Sequence, residues 1–362
     1  MSASGTTARI RVLIVDDSFT SRRLHERILA SDPRFEVAGM ASNGKAAIEM
    51  IRNLEPDVVS MDVQMPDMDG IEATRLIMQH APVPIVIVSS LYDATQKELA
   101  IQAMAAGAVH IMPKPLGPGH DQYARSSERY LRMLKNMSEV RVVRRRTKGS
   151  QPPMASDKRA YDVQASKAGP AVWQSQKRIV VIGASAGGPE ALRIILNSFD
   201  SSFKFPVVVV QHIDENFSET FREWLQTHSL IPVVLAKDGM QLQPAHVYLA
   251  PGGKHLSFKN SAHLILTDEP AYKGHKPSVS QLFKSAKAFF GNQTVAVLLS
   301  GMGDDGAEEM LALKNCGATT LAQDEASCLV FGMPGAAVKN GGTQMVGPPE
   351  RIAQKILELQ KL

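Results

Sequence analysis

The sequence predicts an α/β protein with two doubly wound domains in tandem. Three observations carry this: five short apolar runs alternate with helical patterns over residues 9–120, a second such alternation starts at 177, and between them periodicity is lost. A length of 362 residues suits two domains of ordinary size. We therefore divide the chain into a first domain at 9–137, a flexible linker at 138–176 and a second domain at 177–362.

In the first domain, strands are expected at Arg11–Val15, Phe35–Ala41, Val58–Met61, Ile85–Val88 and Val109–Met112, with Ser18 capping the first helix. Gln122–Met137 has the apolar spacing of a closing helix, through Tyr123, Tyr130, Leu131 and Leu134. Alternation of this kind predicts a flavodoxin-like, five-stranded parallel sheet, whose site lies at the carboxyl ends of the strands. Polar residues gather at those ends: Asp16 and Asp17 after the first strand, Asp62 after the third, Ser89 after the fourth and Lys114 after the fifth. Crowded carboxylates repel unless a hard cation neutralises them, and an oxygen-only, partly open donor set suits Mg²⁺. Ser89 and Lys114 add donors for a phosphoryl group carried by one aspartate.

The motifs Ile14-Val15-Asp16-Asp17, Met61-Asp62-x-x-Met65-Pro66-x-Met68-Asp69-Gly70, Ser89-Ser90 and Lys114-Pro115 resemble the signature of two-component receiver domains. The resemblance implies Asp62 as phosphoacceptor, with Mg²⁺ held by Asp16, Asp17, Asp62 and the Gln64 backbone carbonyl. It also implies Ser89 and Lys114 as the phosphoryl-switch residues and a cis Lys114–Pro115 bond. Where such domains usually carry an aromatic residue three positions before the lysine, this chain has Ile111.

The linker holds the basic excess. Net charge is +4; residues 121–176 carry 12 basic against 5 acidic side chains, whereas 1–120 sum to −3 and 177–362 to zero. Arg141-Val-Val-Arg144-Arg145-Arg146-Thr-Lys148 reads either as a patch for nucleic acid or an anionic membrane surface, or as a solvated tether. Gly, Ser, Pro and Gln follow it and aromatic interleaving is sparse, which favours the tether. Cys316 and Cys328 are too few for a disulfide framework and read as core thiols. No apolar run approaches the ~20 residues of a membrane span, and the N-terminus lacks a signal-peptide pattern. The expected location is the cytoplasm.

The second domain reads as a Rossmann-like, mainly parallel sheet, with strands at Ile179–Ile182, Val207–Val210, Val233–Leu235, Thr294–Leu299 and Thr319–Gln323 and a small antiparallel excursion between Val247 and Thr267. Its most informative stretch is Ile182-Gly183-Ala184-Ser185-Ala186-Gly187-Gly188, a serine on a tight strand-to-helix turn. Glycines there permit close backbone approach, and the helix start offers free N–H groups to a developing negative charge. That suits an acyl-transfer nucleophile. The same turn also resembles the α/β-hydrolase elbow, or a dinucleotide-binding loop whose middle glycine is replaced by Ser185. Tyr272-x-x-x-Lys276 matches a dehydrogenase pair in spacing, but Gly274 and Pro277 oppose the helix such a pair needs. Gln211-His212 follows Val207–Val210, and Asp305 lies in Ser300-Gly-Met-Gly-Asp-Asp-Gly306 after Thr294–Leu299. Ser185, His212 and Asp305 thus fall at the ends of three strands, in an order that differs from the α/β-hydrolases; geometry and not chain order decides a triad. Each also has a plainer reading, as a strand-end histidine or a favourable charge at a helix start.

Together with Gln211-His212, Ala250-Pro251-Gly252-x-x-His255, His275-x-Pro277-Ser278-Val279, Gly301-Met-Gly-x-Asp305-Gly306 and Gln323-x-Glu325-x-Ser327-x-x-Val330-x-Gly332-Met333-Pro334, the turn makes the chain resemble the CheB family of chemotaxis protein-glutamate methylesterases along its whole length. The resemblance implies Ser185 as nucleophile, His212 as base, Asp305 as its orienting partner, and Ala186 and Met302 as oxyanion-hole N–H donors. It implies hydrolysis of γ-glutamyl methyl esters on methyl-accepting chemoreceptors, deamidation of receptor glutamines, no cofactor for hydrolysis, and a chemotaxis histidine kinase as phosphodonor. Nucleic acid is not among the implied partners, and membranes are met only through the receptors. The competing class is a non-enzymatic response regulator whose second domain binds a partner or nucleic acid. Three positions depart from familiar members: Ala186 is often Thr, Asp304 often Asn, and Ser280 stands where an acidic residue is common. A carboxylate at Asp304 is expected to raise the pKa of Asp305 by like-charge repulsion.

Overall fold

The two sites lie where two parallel sheets change winding direction. The computed structural model describes residues 8–90, 94–142 and 178–361. Arg144, Arg145, Arg146, Lys148 and Trp173 of the expected linker lie outside the described residues.

The first sheet contains β1 (Ile10–Val15), β2 (Phe35–Ala41), β3 (Val58–Met61), β4 (Ile85–Ser89) and β5 (His110–Pro113), in the order β2-β1-β3-β4-β5 with every pairing parallel. Val12–Val15, Val58–Met61 and Ile85–Ser89 are buried throughout, as expected of strands covered on both faces. The covering helices are α1 (Phe19–Ala30), α2 (Gly44–Leu54), α3 (Gly70–His80), α4 (Ala94–Ala106) and α5 (Tyr123–Ser138). Side chains start three of them: Ser18, Asn43 and Asp69 accept from Ser21 N (3.3 Å), Ala46 N (2.9 Å) and Glu72 N (2.8 Å). The chain reverses its winding between β1 and β3, so Asp16, Asp17 and Asp62 share one crevice. α5 is locked to the sheet by fully buried Tyr130, whose hydroxyl donates to Ser60 Oγ at 2.9 Å. Ile111 is fully buried on β5. The Lys114–Pro115 bond is trans, contrary to the expectation; the one cis bond among the described residues is Lys276–Pro277. A residue preceding proline is biased to extended backbone with either isomer, so the dipeptide alone does not fix the choice.

The second sheet has seven strands in the order β14-β13-β12-β6-β7-β9-β8, again with all pairings parallel. They are β6 (Ile179–Ala184), β7 (Val207–Gln211), β8 (Val233–Leu235), β9 (Val247–Leu249), β12 (Thr294–Leu298), β13 (Thr319–Gln323) and β14 (Met345–Gly347). The antiparallel excursion is smaller than expected. Only β10 (His255–Phe258) and β11 (Leu264–Thr267) form the hairpin, while Val247–Leu249 joins the main sheet. The helices are α6 (Gly188–Leu196), α7 (Ser218–Thr227), α8 (Val279–Phe290), α9 (Ala307–Asn315), α10 (Met333–Lys339) and α11 (Pro349–Leu359). Tyr272 and Lys276 share no helix; Tyr272 bridges to His275 in a tight loop. Winding reverses between β12 and β6, so the turns after these strands face each other.

The domains share a core. α4 packs against α6 and α7, and one hydrophobic cluster runs from Ala100 and Ile101 to Phe217 and Phe221. Arg129 on α5 pairs through Nη2 with Asp214 Oδ2, two residues beyond His212. No helix among the described residues is long and apolar enough to cross a membrane. Cys316 and Cys328 are unbridged, Cys328 in the core.

Candidate active site and phosphorylation site

The serine turn is held from three sides. Ser185 N donates to Ser300 O (3.0 Å), Ser300 Oγ donates to Ala186 O (2.6 Å), and Gln211 Nε2 donates to Ser185 O (2.9 Å). Gly187 adopts φ 78°, and a Cβ there would lie 2.5 Å from Leu329 Cβ and 2.6 Å from Ser300 Oγ, so only glycine fits. Gly301 is equally constrained: a Cβ would lie 2.8 Å from Ser185 Cβ. That proximity brings the Gly301–Met302 backbone against the serine. Among the described residues, neither the Ala186 nor the Met302 amide donates a hydrogen bond.

His212 joins Ser185 through the sheet. Ala184 pairs with Gln211 across β6 and β7, and His212 N donates to Ala184 O at 2.9 Å, so the residues that follow each strand lie side by side. The His212 ring bonds Asp305 Oδ2 through Nε2 at 2.9 Å. Its Nδ1 is shielded from solvent and has no partner. This leaves one ring nitrogen engaged by a carboxylate and the other available to a hydroxyl, the distribution a general base requires.

Asp305 is almost fully buried and is gripped at the start of α8. Its Oδ1 accepts from Ser278 Oγ (2.9 Å) and Ser280 N (2.9 Å), and its Oδ2 accepts from Val279 N (2.7 Å). Burial alone would raise this carboxyl; the hydrogen bond and charge of His212, with the bonds from Ser280, outweigh it and hold the group well below the usual carboxylate range. The expected upward shift from Asp304 is therefore corrected. Asp304 is exposed to water, which screens its charge, while Asp305 sits on oriented donors. Ser280, the departure noted above, is absorbed into the same frame: its Oγ donates to Glu309 Oε2 (2.6 Å) and accepts from Gly306 N (3.0 Å).

At the first sheet, Lys114 Nζ lies 2.7 Å from both Asp16 Oδ2 and Asp62 Oδ2. Burial pushes the Asp62 carboxyl up, opposed by the Lys114 ammonium. Asp16, Asp17 and Asp62 each offer an oxygen within 4.8 Å of the others, a hard donor set that one ammonium does not neutralise and that fits a small divalent cation. Gln64 lines the same cleft as Asp17. Ser89 is buried at the end of β4, its Oγ donating to Ser90 O at 3.4 Å. Sequence reasoning brought these residues to one edge but missed the grip of Ser278, Val279 and Ser280 on Asp305. It also missed His275, whose ring stacks on His212 with centroids 4.1 Å apart. The signal for these was the His275-x-Pro277-Ser278-Val279 motif and the serine at 280, to which the sequence alone assigns no role.

An α/β domain with a strand-end Ser, His and Asp, covered by a second α/β domain with a buried Asp–Asp–Lys cluster, defines a receiver joined to a hydrolase-type output domain. Comparison with known proteins narrows the class. Residues 12–120 match the response regulator receiver domain and residues 180–356 match the CheB methylesterase family. A Nitrosospira multiformis protein-glutamate methylesterase/protein-glutamine glutaminase is 41% identical over 355 residues, 97% of each chain. A Geobacter metallireducens protein of that name is 41% identical over 351 residues, 97% of this chain and 99% of the other. The Thermotoga maritima CheB methylesterase catalytic domain is 36% identical with a TM-score of 0.49, covering 50% of this chain and 98% of that one. The chain belongs to the CheB methylesterase family and carries that family's N-terminal receiver domain.

The grip on Asp305 has a thermodynamic consequence. Because the folded carboxyl is held below its unfolded value of ~3.9, its stabilisation is full above that pH and is lost as pH falls through the lower folded value. Asp305→Ala leaves three donors and the His212 ring unpaired and should destabilise the fold by about 2–4 kcal/mol at neutral pH. Denaturant unfolding of both forms should show the gap narrowing below about pH 4. A gap independent of pH would assign the effect to packing instead of the ionised carboxylate.

Proposed function

We propose that this chain is a phosphorylation-regulated serine esterase that hydrolyses γ-glutamyl methyl esters on methyl-accepting chemoreceptors and deamidates specific receptor glutamines. The observation that carries this is the pairing of His212 with Asp305 through Nε2, with Nδ1 left unpartnered among the described residues, on a strand end that lies next to the Ser185 turn. In this reading Ser185 Oγ attacks the ester carbonyl as His212 Nδ1 takes its proton, and Asp305 steadies the imidazolium that forms. The Ala186 and Met302 amides, which have no other acceptor among the described residues, meet the oxyanion. His212 returns the proton to the departing methoxide, releasing methanol; from a glutamine the leaving group is ammonia. Water, deprotonated by the same base, frees the glutamate carboxylate and restores Ser185. Hydrolysis calls on no cofactor. A partner- or nucleic-acid-binding output domain would have no use for an aligned His212–Asp305 pair.

The receiver, assigned to 9–137 and tethered through 138–176 to the catalytic residues at 177–362, is the control element. Asp62 is the phosphoacceptor, supplied by a chemotaxis histidine kinase, with Ser89 and Lys114 meeting the phosphoryl group. Asp16, Asp17, Asp62 and the Gln64 carbonyl would hold Mg²⁺, which supplies positive charge where the phosphoryl oxygens gather. Lys114 now bridges Asp16 and Asp62, so a phosphoryl group on Asp62 must redraw its contacts. The unphosphorylated receiver packs through α4 on α6 and α7, the helices that follow Ser185 and His212 in the chain, and holds Asp214 through Arg129. A receptor helix is excluded while that contact persists. The protein works in the cytoplasm, meeting membranes through its receptors.

Methanol release from methylated receptor membranes tests the chemistry, and Ser185→Ala should reduce it by ~10³-fold or more. Retained activity would remove the esterase assignment. For regulation, Arg129→Ala should raise the unphosphorylated rate several-fold, by roughly the ~1 kcal/mol or more of a partly buried pair. A small-molecule phosphodonor with Mg²⁺ should activate the wild type but not Asp62→Ala. If neither treatment changes the rate, the receiver acts by recruitment and not by covering the site.

A further inference from the structure

One contact in the catalytic domain has no part in the chemistry described so far. The His275 ring lies flat on His212, with centroids 4.1 Å apart and planes within 6°. Among the described residues no hydrogen bond reaches either ring nitrogen of half-buried His275, and its contact with His212 is made by the ring face. The backbone beneath it is fixed. Tyr272 and His275 exchange N–H···O bonds in both directions at 3.0 Å, closing the loop from which the ring projects. Three residues later, Ser278 Oγ, Val279 N and Ser280 N take hold of Asp305. Ser278 N also donates to His255 Nδ1 at 3.2 Å, tying the segment to β10. Residues 275–280 therefore touch both members of the catalytic pair, the imidazole on its face and the carboxylate on its oxygens.

We infer that His275 is a positioning residue for the reaction proposed above, and the inference rests on that reading: its ring face keeps His212 in the plane in which Nε2 meets Asp305 and Nδ1 is left free to accept a proton. A single hydrogen bond at Nε2 fixes one end of an imidazole and leaves it free to swivel about the Nε2···Oδ2 line. A flat ring against one side removes that freedom, and a small loss of alignment between nucleophile and base is costly to rate. Parallel stacking also suits the charge His212 acquires when it takes the serine proton, because a neutral aromatic face tolerates an adjacent cation that a second cation would repel. The charged and titratable groups facing His275 are His212, Asp305 and Asp304. Burial first, then His212, holds the His275 pKa down to about 4 against the pull of the two carboxylates, so the stacked ring is neutral at neutral pH.

The test compares His275→Ala with His275→Phe in the full-length protein, with Ser185→Ala alongside. Removing the ring should lower kcat for methanol release about tenfold or more while KM stays within about twofold, since alignment and not binding is lost. Phenylalanine restores a flat face without ring nitrogens and should recover kcat to within about threefold of wild type. By proton NMR, the His212 Nε2–H signal should be sharp in wild type and His275→Phe and broadened by exchange in His275→Ala. Wild-type kcat in His275→Ala, or a Phe variant as slow as the Ala variant, would overturn the inference. Methanol release that survives Ser185→Ala would instead overturn the esterase reading; the NMR comparison would still decide whether the stack orders the ring.

Discussion

The Asp305 carboxylate is the constraint on which the rest of the catalytic domain depends. It reaches its place because the turn after β12 aims it at the first amide groups of α8, where three donors converge on its oxygens. Helix N-termini leave such donors unpaired, and a carboxylate is the group they stabilise best. An ion so held cannot rotate to follow its partner; its partner must come to it. His212 does so from β7, and the serine turn follows because β6 lies between β7 and β12. Three strands, adjacent only because the sheet reverses its winding between β12 and β6, thus deliver three side chains to one point.

The same carboxylate accommodates the residues beside it. Asp304 faces water and leaves Asp305 ionised, while Ser280 occupies its position without adding charge to a buried cluster that already holds Glu309. What does not tolerate change is backbone geometry. Gly187 and Gly301 sit where a single methyl would collide with Ser300 or Ser185. The receiver meets this assembly through α4, which packs on α6 and α7, and through Arg129, which holds the loop after His212, whereas the hydrogen bonds described for Asp305 all come from the catalytic domain. Control of access and construction of the site are therefore carried by different contacts. In the proposed regulation, a receiver that moves away uncovers a His212–Asp305 pair that is already hydrogen-bonded.

Much of this was legible in the sequence because a buried parallel strand is a short, nearly continuous apolar run, and the first polar residue after it marks the carboxyl end. Asp16, Asp62 and Ser185 announce themselves that way, and His212 stands one residue beyond Gln211, the first polar residue after its strand. Strand boundaries at Phe35–Ala41, Val58–Met61, Val233–Leu235 and Thr319–Gln323 agree with the structure for the same reason. What the sequence concealed is non-local or has no side-chain signature. The donors at Val279 and Ser280 are backbone amides, which any residue supplies. The His275 stack joins a loop to a strand end 63 positions earlier. Val247–Leu249 is only three residues long, so its period does not distinguish a hairpin from a strand of the main sheet. Arg129 is one of several basic residues on α5, and only the packing of the two domains selects it for Asp214.

The central claim is that Asp305 and His212 together make Ser185 nucleophilic, and a small phosphonylating reagent reads this without a receptor substrate. The measurement is the rate of covalent modification of the full-length protein, with the modified residue located by mass spectrometry, in wild type and Asp305→Asn. The account predicts modification at Ser185 in the wild type, slowed about 10²-fold or more in the variant, because an amide cannot hold the ring in its working tautomer. Equal rates in the two proteins, or modification at a residue other than Ser185, would contradict it.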